Sequence, residues 1–167
     1  MRNRAGFTFI EVIITIAVIA ILSVVVIVSI NSAMHGIQLA SAADRLVADL
    51  RYAENMAAGE GKWYGVSFEV APTNRYTLYT TTGTVDTVIN DPNKNGSSFI
   101  VNTNTLFNVT LNANIEGGRK VEFHPFGTPY NDKTGAAISS EGLVTLTQGA
   151  GSRIVRITPV TGRIYIQ

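Results

Sequence analysis

The sequence offers few side chains suited to catalysis. It contains no cysteine and two histidines, His35 and His124. Neither histidine is spaced with a serine or a pair of carboxylates in a way that predicts nucleophilic or acid–base chemistry. Without thiolates, the chain can form neither a disulfide framework nor a thiolate metal centre. We therefore predict a protein that is not an enzyme and needs no cofactor.

One segment begins like a calcium-binding loop. Oxygen-bearing side chains alternate before a glycine at Asp91, Asn93 and Asn95, as they do in loops that bind calcium. However, the twelfth position is Asn102 where a bidentate glutamate is expected, and Lys94 lies inside the segment. Asx–Gly turns form without a metal. The favoured interpretation is therefore no metal, with calcium as the alternative.

Positive charge is concentrated near the C-terminus, at Arg153, Arg156 and Arg163. The formal net charge is +1, and without Arg2 and Arg4 there are 13 − 2 = 11 basic against 12 acidic residues, or −1. Such a balance gives no strong general attraction to nucleic acid. We predict that these arginines are solvated strand residues, with contact to DNA as the alternative.

A single carboxylate, Glu11, stands at the head of a long apolar run. Residues 12–30 are nineteen residues that contain no charge, about the length that a helix needs to cross a bilayer. A cleaved secretory signal has a shorter apolar region, of about 7–15 residues. A plain anchor leaves Glu11 unexplained, because an ionised side chain in hydrocarbon costs roughly 2.5–3.5 kcal/mol. We predict a functional carboxylate, the alternative being a side chain that snorkels to the interface.

The residues around this carboxylate carry a family resemblance. The stretch Gly6-Phe7-Thr8-Phe9-Ile10-Glu11, preceded by two arginines, resembles the class III leader of type IV pilins and pseudopilins. The resemblance implies that residues 1–6 are a leader, that a prepilin peptidase cleaves after Gly6, and that the new terminus at Phe7 is N-methylated. It also implies that Glu11 meets the terminal amine of a neighbouring subunit during assembly.

The same resemblance implies a location. Residues 7–30 would form the transmembrane half of a helix in the bacterial inner membrane, as a single-pass protein. The basic residues before Gly6 should keep the N-terminus cytoplasmic until cleavage, leaving the rest of the chain periplasmic. The expected partners are other pilins or pseudopilins, the prepilin peptidase and an inner-membrane assembly platform.

The helix is predicted to continue as an amphipathic half over residues 31–61. Apolar residues recur there in steps of three and four, at Leu39, Ala43, Leu46, Leu50, Ala53 and Ala57. Charged residues fall off this stripe and are expected to face solvent or other subunits, namely Asp44, Arg45, Asp49, Arg51 and Glu54. Gly36 is a weak point between the two halves, and Gly59 and Gly61 should end the helix.

Residues 62–167 are predicted to form an antiparallel β domain. Alternating patterns separated by Gly, Asn and Pro clusters predict short strands, at 66–70, 76–79, 85–89, 98–101, 106–111, 120–124, 143–147, 153–158 and 163–166. Such sheets bury their apolar face against the helix stripe. The fold class is therefore α+β, with one long N-terminal helix packed on antiparallel sheets.

The second half of the chain extends the resemblance. Val121–Pro129, Leu143–Leu146, Ile154–Thr158 and Thr161–Ile164 look like the corresponding strands and turns of the GspH/FimT group of minor pseudopilins and pilins. This implies a structural subunit in the pseudopilus of a type II secretion system. The alternatives are a minor type IV pilin of pilus biogenesis or DNA uptake, which would bind DNA through the C-terminal arginines, and a major pilin.

Overall fold

The structure, a computed structural model, describes the backbone of residues 6–167 and the side chains of 6–23 and 33–167. The chain divides into two compact units, one that ends at Gly36 and one from Ile37 to Gln167. Residues 1–5, which are most of the predicted leader, therefore lie outside the described residues. For residues 24–30, the last part of the predicted transmembrane half, the structure describes the backbone but not the side chains. Within the described residues, no helix combines the length and the hydropathy expected of a membrane span.

One long helix, α1, runs from Phe9 to Glu60. It contains no proline, and it ends where Gly61 adopts a positive φ of 64°, a conformation that glycine tolerates just past a helix terminus. Gly59 was predicted to end the helix as well, but it is still helical. The predicted apolar stripe is confirmed, since each of its members is 5% exposed or less, namely Leu39, Ala43, Leu46, Leu50, Ala53 and Ala57.

The prediction that the charged residues of this helix half face solvent or other subunits is wrong for Asp49, and Arg45 and Glu54 are half-buried. Asp49 is 6% exposed, and its Oδ2 accepts hydrogen bonds from Tyr76 Oη at 2.6 Å and from Arg45 Nε at 2.8 Å. Burial raises the pKa of Asp49, although the Tyr76 and Arg45 bonds oppose that change. A carboxylate is stable inside a core when donors are placed to receive it.

Ten strands follow the helix. They are β1 (Trp63–Glu69), β2 (Arg75–Thr81), β3 (Asp86–Val88), β4 (Ile100–Asn102), β5 (Thr110–Asn114), β6 (Lys120–Phe123), β7 (Pro129–Tyr130), β8 (Gly142–Gln148), β9 (Gly151–Ile157) and β10 (Ile164–Ile166). One sheet has the order β3-β2-β1-β6-β7 with β4 also paired to β2, and the other has the order β10-β9-β8-β5. The pairings are antiparallel, which confirms the predicted fold class.

The region between β4 and β5 differs from the prediction. A strand was predicted over 106–111, but a short helix, α2, spans Thr103–Phe107, and β5 begins only at Thr110. The side chain of Asn102 caps this helix by accepting a hydrogen bond from Thr105 N, and Asn108 ends it in the left-handed region. Alternation alone could not reveal these two caps.

Candidate functional site

The start of α1 is a capping box built from Thr8 and Glu11. Thr8 Oγ1 accepts a hydrogen bond from Glu11 N at 3.3 Å, and Glu11 Oε2 accepts one from Thr8 N at 3.4 Å. This reciprocal arrangement satisfies donors that a helix N-terminus otherwise leaves unpaired. The N-terminal end of the helix dipole also favours a carboxylate there. Glu11 is thus held in place by its own helix.

The three residues before α1 are accessible. Gly6, Phe7 and Thr8 have no regular secondary structure, and Phe7 is 82% exposed. A Cβ added to Gly6 would meet nothing within 4 Å. Nothing in the described chain therefore requires glycine at this position, and a requirement for it would have to come from an enzyme that binds this segment. The predicted cleavage at Gly6 and methylation at Phe7 stay predictions.

The helix segment after Glu11 presents an apolar surface. Every described side chain from 6 to 23 is exposed. The two hydroxyls in this segment bond to their own helix: Thr15 Oγ1 donates to Val12 O at 2.8 Å, and Ser23 Oγ donates to Ile19 O at 2.7 Å. Such bonds satisfy polar groups without water. Glu11 is the single charged side chain of the described segment 6–23.

The C-terminal arginines do not form one patch. Arg156 Nη1 lies 2.5 Å from Glu141 Oε2, and Tyr165 Oη donates to the other oxygen of Glu141 at 2.9 Å. The Tyr165 and Arg156 bonds hold the pKa of Glu141 below its usual value. Arg153, three residues from Arg156 on β9, lies on the opposite face of the strand. Arg163 is exposed, with its guanidinium 5.6 Å from the Tyr165 ring centroid.

The segment compared with a calcium loop is closed by its own hydrogen bonds. Asp91 Oδ1 accepts from Asn93 N at 2.9 Å, and Asp91 N donates to Ser97 O at 2.8 Å. Asp91 is buried, whereas Asn93 and Asn95 are exposed. Across the described residues, no group of three or more His, Asp or Glu side chains could hold a metal. The geometry is that of an Asx turn, and calcium stays an untested hypothesis.

Another buried carboxylate, Glu122, was not anticipated from the sequence. It is 1% exposed, and it accepts hydrogen bonds from Tyr79 Oη at 2.7 Å and from Lys133 N at 2.5 Å. Lys120 Nζ lies 3.1 Å from Glu122 and 2.7 Å from Asp132. Burial, and then the Glu122 bond, raise the pKa of Tyr79. These contacts join β2, β6 and the loop after β7, and they give the domain a satisfied polar interior.

The role of Thr8 as the N-cap of α1 was not predicted from the sequence. The pattern Thr-x-x-Glu immediately before a helix is itself a sequence signature of a capping box. It was interpreted only as part of the leader resemblance. Tyr76 and Tyr79 offered no comparable pattern, because their carboxylate partners lie 27 and 43 residues away in sequence.

Comparisons with known proteins agree with this geometry. Residues 1–27 match the prokaryotic N-terminal methylation motif. No curated protein matches the sequence. Two crystal structures of the type IV minor pilin FimU of Pseudomonas aeruginosa are similar at 16% identity and a TM-score of 0.51; each match covers 77% of this chain, and 92% or 87% of FimU.

A third similar structure is the minor pseudopilin EpsH from the type 2 secretion system of Vibrio cholerae. Identity is 12%, the TM-score is 0.57, and the match covers 78% of this chain and 96% of EpsH. At such identities the similarity concerns the fold. The chain therefore carries the prokaryotic N-terminal methylation motif and has a pilin-like fold, similar to that of a minor pilin and of a minor pseudopilin. This confirms the predicted resemblance at the level of pilins and minor pseudopilins.

Proposed function

We propose that this chain is a minor pseudopilin or minor pilin, a structural subunit of a type IV pilus-like assembly. In this proposal the prepilin peptidase cleaves after Gly6 and methylates Phe7. The apolar part of α1 anchors the subunit in the bacterial inner membrane until the assembly platform adds it to the other subunits. The unit from Ile37 to Gln167 lies outside the cytoplasm. The pilin-like fold and the methylation motif support this role.

The observation that carries the proposal is the state of the Glu11 carboxylate. One oxygen, Oε2, accepts the hydrogen bond from Thr8 N, and no described residue bonds to Oε1. A carboxylate can accept several hydrogen bonds. After cleavage, the ammonium at Phe7 of an adjoining subunit would supply a charge-assisted donor for Oε1. In an apolar surrounding, that pairing relieves two uncompensated charges.

We further propose that the assembly is the pseudopilus of a type II secretion system. The EpsH similarity supports this choice, and the GspH/FimT-like strands and turns of the second half are compatible with it. The FimU similarity supports the alternative, a minor type IV pilin. Co-purification of the native protein with either set of assembly proteins separates the two machines.

The processing step is tested by mass spectrometry of the protein expressed with a prepilin peptidase. The mature N-terminal peptide should begin at Phe7 and carry one additional methyl group. Gly6→Val should leave the full-length precursor, because the peptidase must accept a residue without a Cβ at the cut. Ile10→Val, beyond the cut, is the control and should be processed normally. Assembled wild-type protein that still begins at Met1 would refute the proposal.

A second candidate function, DNA binding, is favoured by one observation. Arg163 is exposed beside Tyr165, while Arg156 is already paired with Glu141. In this alternative, Arg163 is the leading contact. Arg163→Ala should then reduce DNA affinity of the full chain in detergent, and Arg75→Ala, which removes an arginine paired with Glu69, should not. Equal DNA affinity of the two variants would exclude DNA binding through Arg163. The absence of salt-sensitive DNA binding by the wild type would exclude it as well.

A further inference from the structure

The loop that precedes β4 contains an asparagine with a glycine directly after it. Asn95 is followed by Gly96, and no other asparagine of the sequence precedes a glycine. An asparagine side chain is thermolabile, because the backbone nitrogen of the next residue can attack its carbonyl carbon and close a ring. Glycine makes this approach easiest, since it has no Cβ and the widest choice of backbone angles. The sequence therefore singles out Asn95 as the most reactive asparagine.

The two residues form the centre of a β-turn at the surface. Ser97 N donates to Lys94 O at 3.0 Å, and Gly96 has a positive φ of 74°, as the third residue of a type II turn requires. Asn95 and Gly96 are both exposed. A Cβ added to Gly96 would meet nothing within 4 Å. Water therefore reaches both reacting groups, and no neighbour obstructs them.

Neither reacting group is held by a hydrogen bond. Within the described chain, the Asn95 side chain and the Gly96 N–H have no hydrogen-bond partner. Other asparagine side chains are engaged in the fold: Asn114 Oδ1, for example, accepts from Gly117 N at 2.9 Å. A free amide and a free backbone nitrogen can rotate toward each other, whereas bonded groups must first break their bonds.

Asn93, two residues earlier, shows the difference within the same loop. It is exposed like Asn95, but a lysine follows it. The nitrogen that would attack its side chain, Lys94 N, donates to Asp91 O at 3.1 Å. Asn93 therefore lacks both features that favour ring closure, and it is a matched control for Asn95.

We propose that Asn95 is a site of spontaneous deamidation. Gly96 N forms a bond to Asn95 Cγ, the bond from Cγ to Nδ2 breaks, and ammonia leaves with the proton that Gly96 N has lost. Water then opens the cyclic imide at either of its two carbonyl carbons, which gives aspartate or isoaspartate. In sum, one water is consumed and one ammonia is released, so the reaction needs no oxidant, reductant or enzyme.

The reaction adds a negative charge to an exposed loop. The formal net charge of the chain falls from +1 to zero, and the new carboxylate adjoins the exposed Lys94. The ends of the loop stay joined, because Asp91 N donates to Ser97 O at 2.8 Å and Asn90 pairs with Ser98. The modification should therefore change the charge of this surface without unfolding the domain. It depends on no step of the proposed function.

Peptide mapping of the full-length protein in detergent tests the proposal. The protein is incubated at mildly alkaline pH for increasing times and is then digested at acidic pH with a protease that cuts after glutamate. Residues 70–116 form one such peptide, so Asn95 and Asn93 are measured together. Fragmentation should place the change from amide to carboxyl at Asn95, with both aspartate and isoaspartate present. Incubation in heavy-oxygen water should label the new carboxyl group.

Two substitutions separate the effect of the sequence from that of the structure. Gly96→Ala places a Cβ beside the attacking nitrogen and should slow the reaction at least about tenfold, because ring closure needs a close and aligned approach. Lys94→Gly gives Asn93 the successor that Asn95 has, while its attacking nitrogen can still donate to Asp91 O. Asn93 should then react faster than in the wild type but more slowly than Asn95. A thermal melt checks that both variants keep the fold.

Four outcomes would overturn the proposal. The first is an intact Asn95 after incubation, and the second is deamidation of Asn93 at the same rate in the wild type. The third is an unchanged rate with Gly96→Ala, and the fourth is a product that contains no isoaspartate. Equal rates at Asn93 and Asn95 in Lys94→Gly would contradict the role given to the free Gly96 nitrogen. None of these results bears on the proposed function, which is tested by processing and assembly.

Discussion

In the helix segment that follows Thr8, the described apolar side chains are exposed. The unit from Ile37 to Gln167 instead buries most of its apolar side chains in one core, with Phe126 and Val160 among the exceptions. Carboxylates differ in the same way. Asp49 and Glu122 are enclosed by donors from distant strands, while Glu11 has only its own helix start. The second unit thus has a hydrophobic core of its own. The first has an apolar surface and a carboxylate oxygen that need an outside partner, such as a membrane or another subunit.

The largest expected effect tests the hydrophobic core of the second unit. Leu46 is 0% exposed, and Leu46→Asp would bury an unpaired charge. We expect a loss of roughly 4 kcal/mol or more in the free energy of unfolding, a large fraction of the about 5–15 kcal/mol by which native domains are stable. Ser41→Asp, at an exposed position on the same helix, should change it by less than about 0.5 kcal/mol. Equal thermal melts for the two variants would show that the stripe is not in the core.

A smaller effect tests the enclosed carboxylates. Tyr76→Phe removes the hydroxyl that donates to Asp49, so we expect a loss of about 1–3 kcal/mol near pH 7. The Tyr76 bond lowers the pKa of Asp49 against the effect of burial, so the variant should raise that pKa further. A raised pKa in the folded state means that stability decreases as pH rises from the ordinary value through the folded value.

The loss caused by Tyr76→Phe should therefore shrink when acid protonates Asp49. Denaturant unfolding at several pH values measures this difference. Tyr165→Phe is the matched control, because Tyr165 donates to Glu141, which is only half-buried. The free energy of unfolding should then fall by less than about 0.5 kcal/mol. A loss for Tyr76→Phe that does not depend on pH would contradict the role given to the Asp49 bond.

The smallest effect concerns the capping box. Thr8→Val removes the N-cap hydroxyl, which contributes about 1 kcal/mol. Hydrogen exchange at the Glu11 amide in detergent should then accelerate about fivefold, the factor that corresponds to 1 kcal/mol. Thr8→Ser keeps the hydroxyl and should exchange like the wild type. Identical exchange in all three proteins would show that Thr8 does not hold the helix start.

Sequence periodicity predicted the parts of the fold that depend on local pattern. The stripe from Leu39 to Ala57 and most of the strands follow from periods of 3.6 and 2. Helix α2 was missed because it is short and its caps are asparagines, which also suit turns. The burial of Asp49 and Glu122 depends on tyrosines that only the folded sheets bring near. The neighbouring rings of Trp63, His124, Phe126 and Tyr130 likewise come from β1, β7 and the turn between β6 and β7. No single segment of the sequence reveals that they lie together.

The central claim is that Glu11 serves assembly, and co-purification measures it most directly. Wild type, Glu11→Leu and Glu11→Gln are compared at equal membrane levels, with the other pilins of the assembly counted in each preparation. Insertion and cleavage at Gly6 should persist in all three, because removing a charge does not hinder insertion and the cut precedes Glu11. We expect Glu11→Leu to recover at least about tenfold less of the other pilins than the wild type does. The recovery by Glu11→Gln should lie between those of the wild type and Glu11→Leu. Equal recovery by all three would contradict the account, since Glu11 would then be no more than the cap of its own helix.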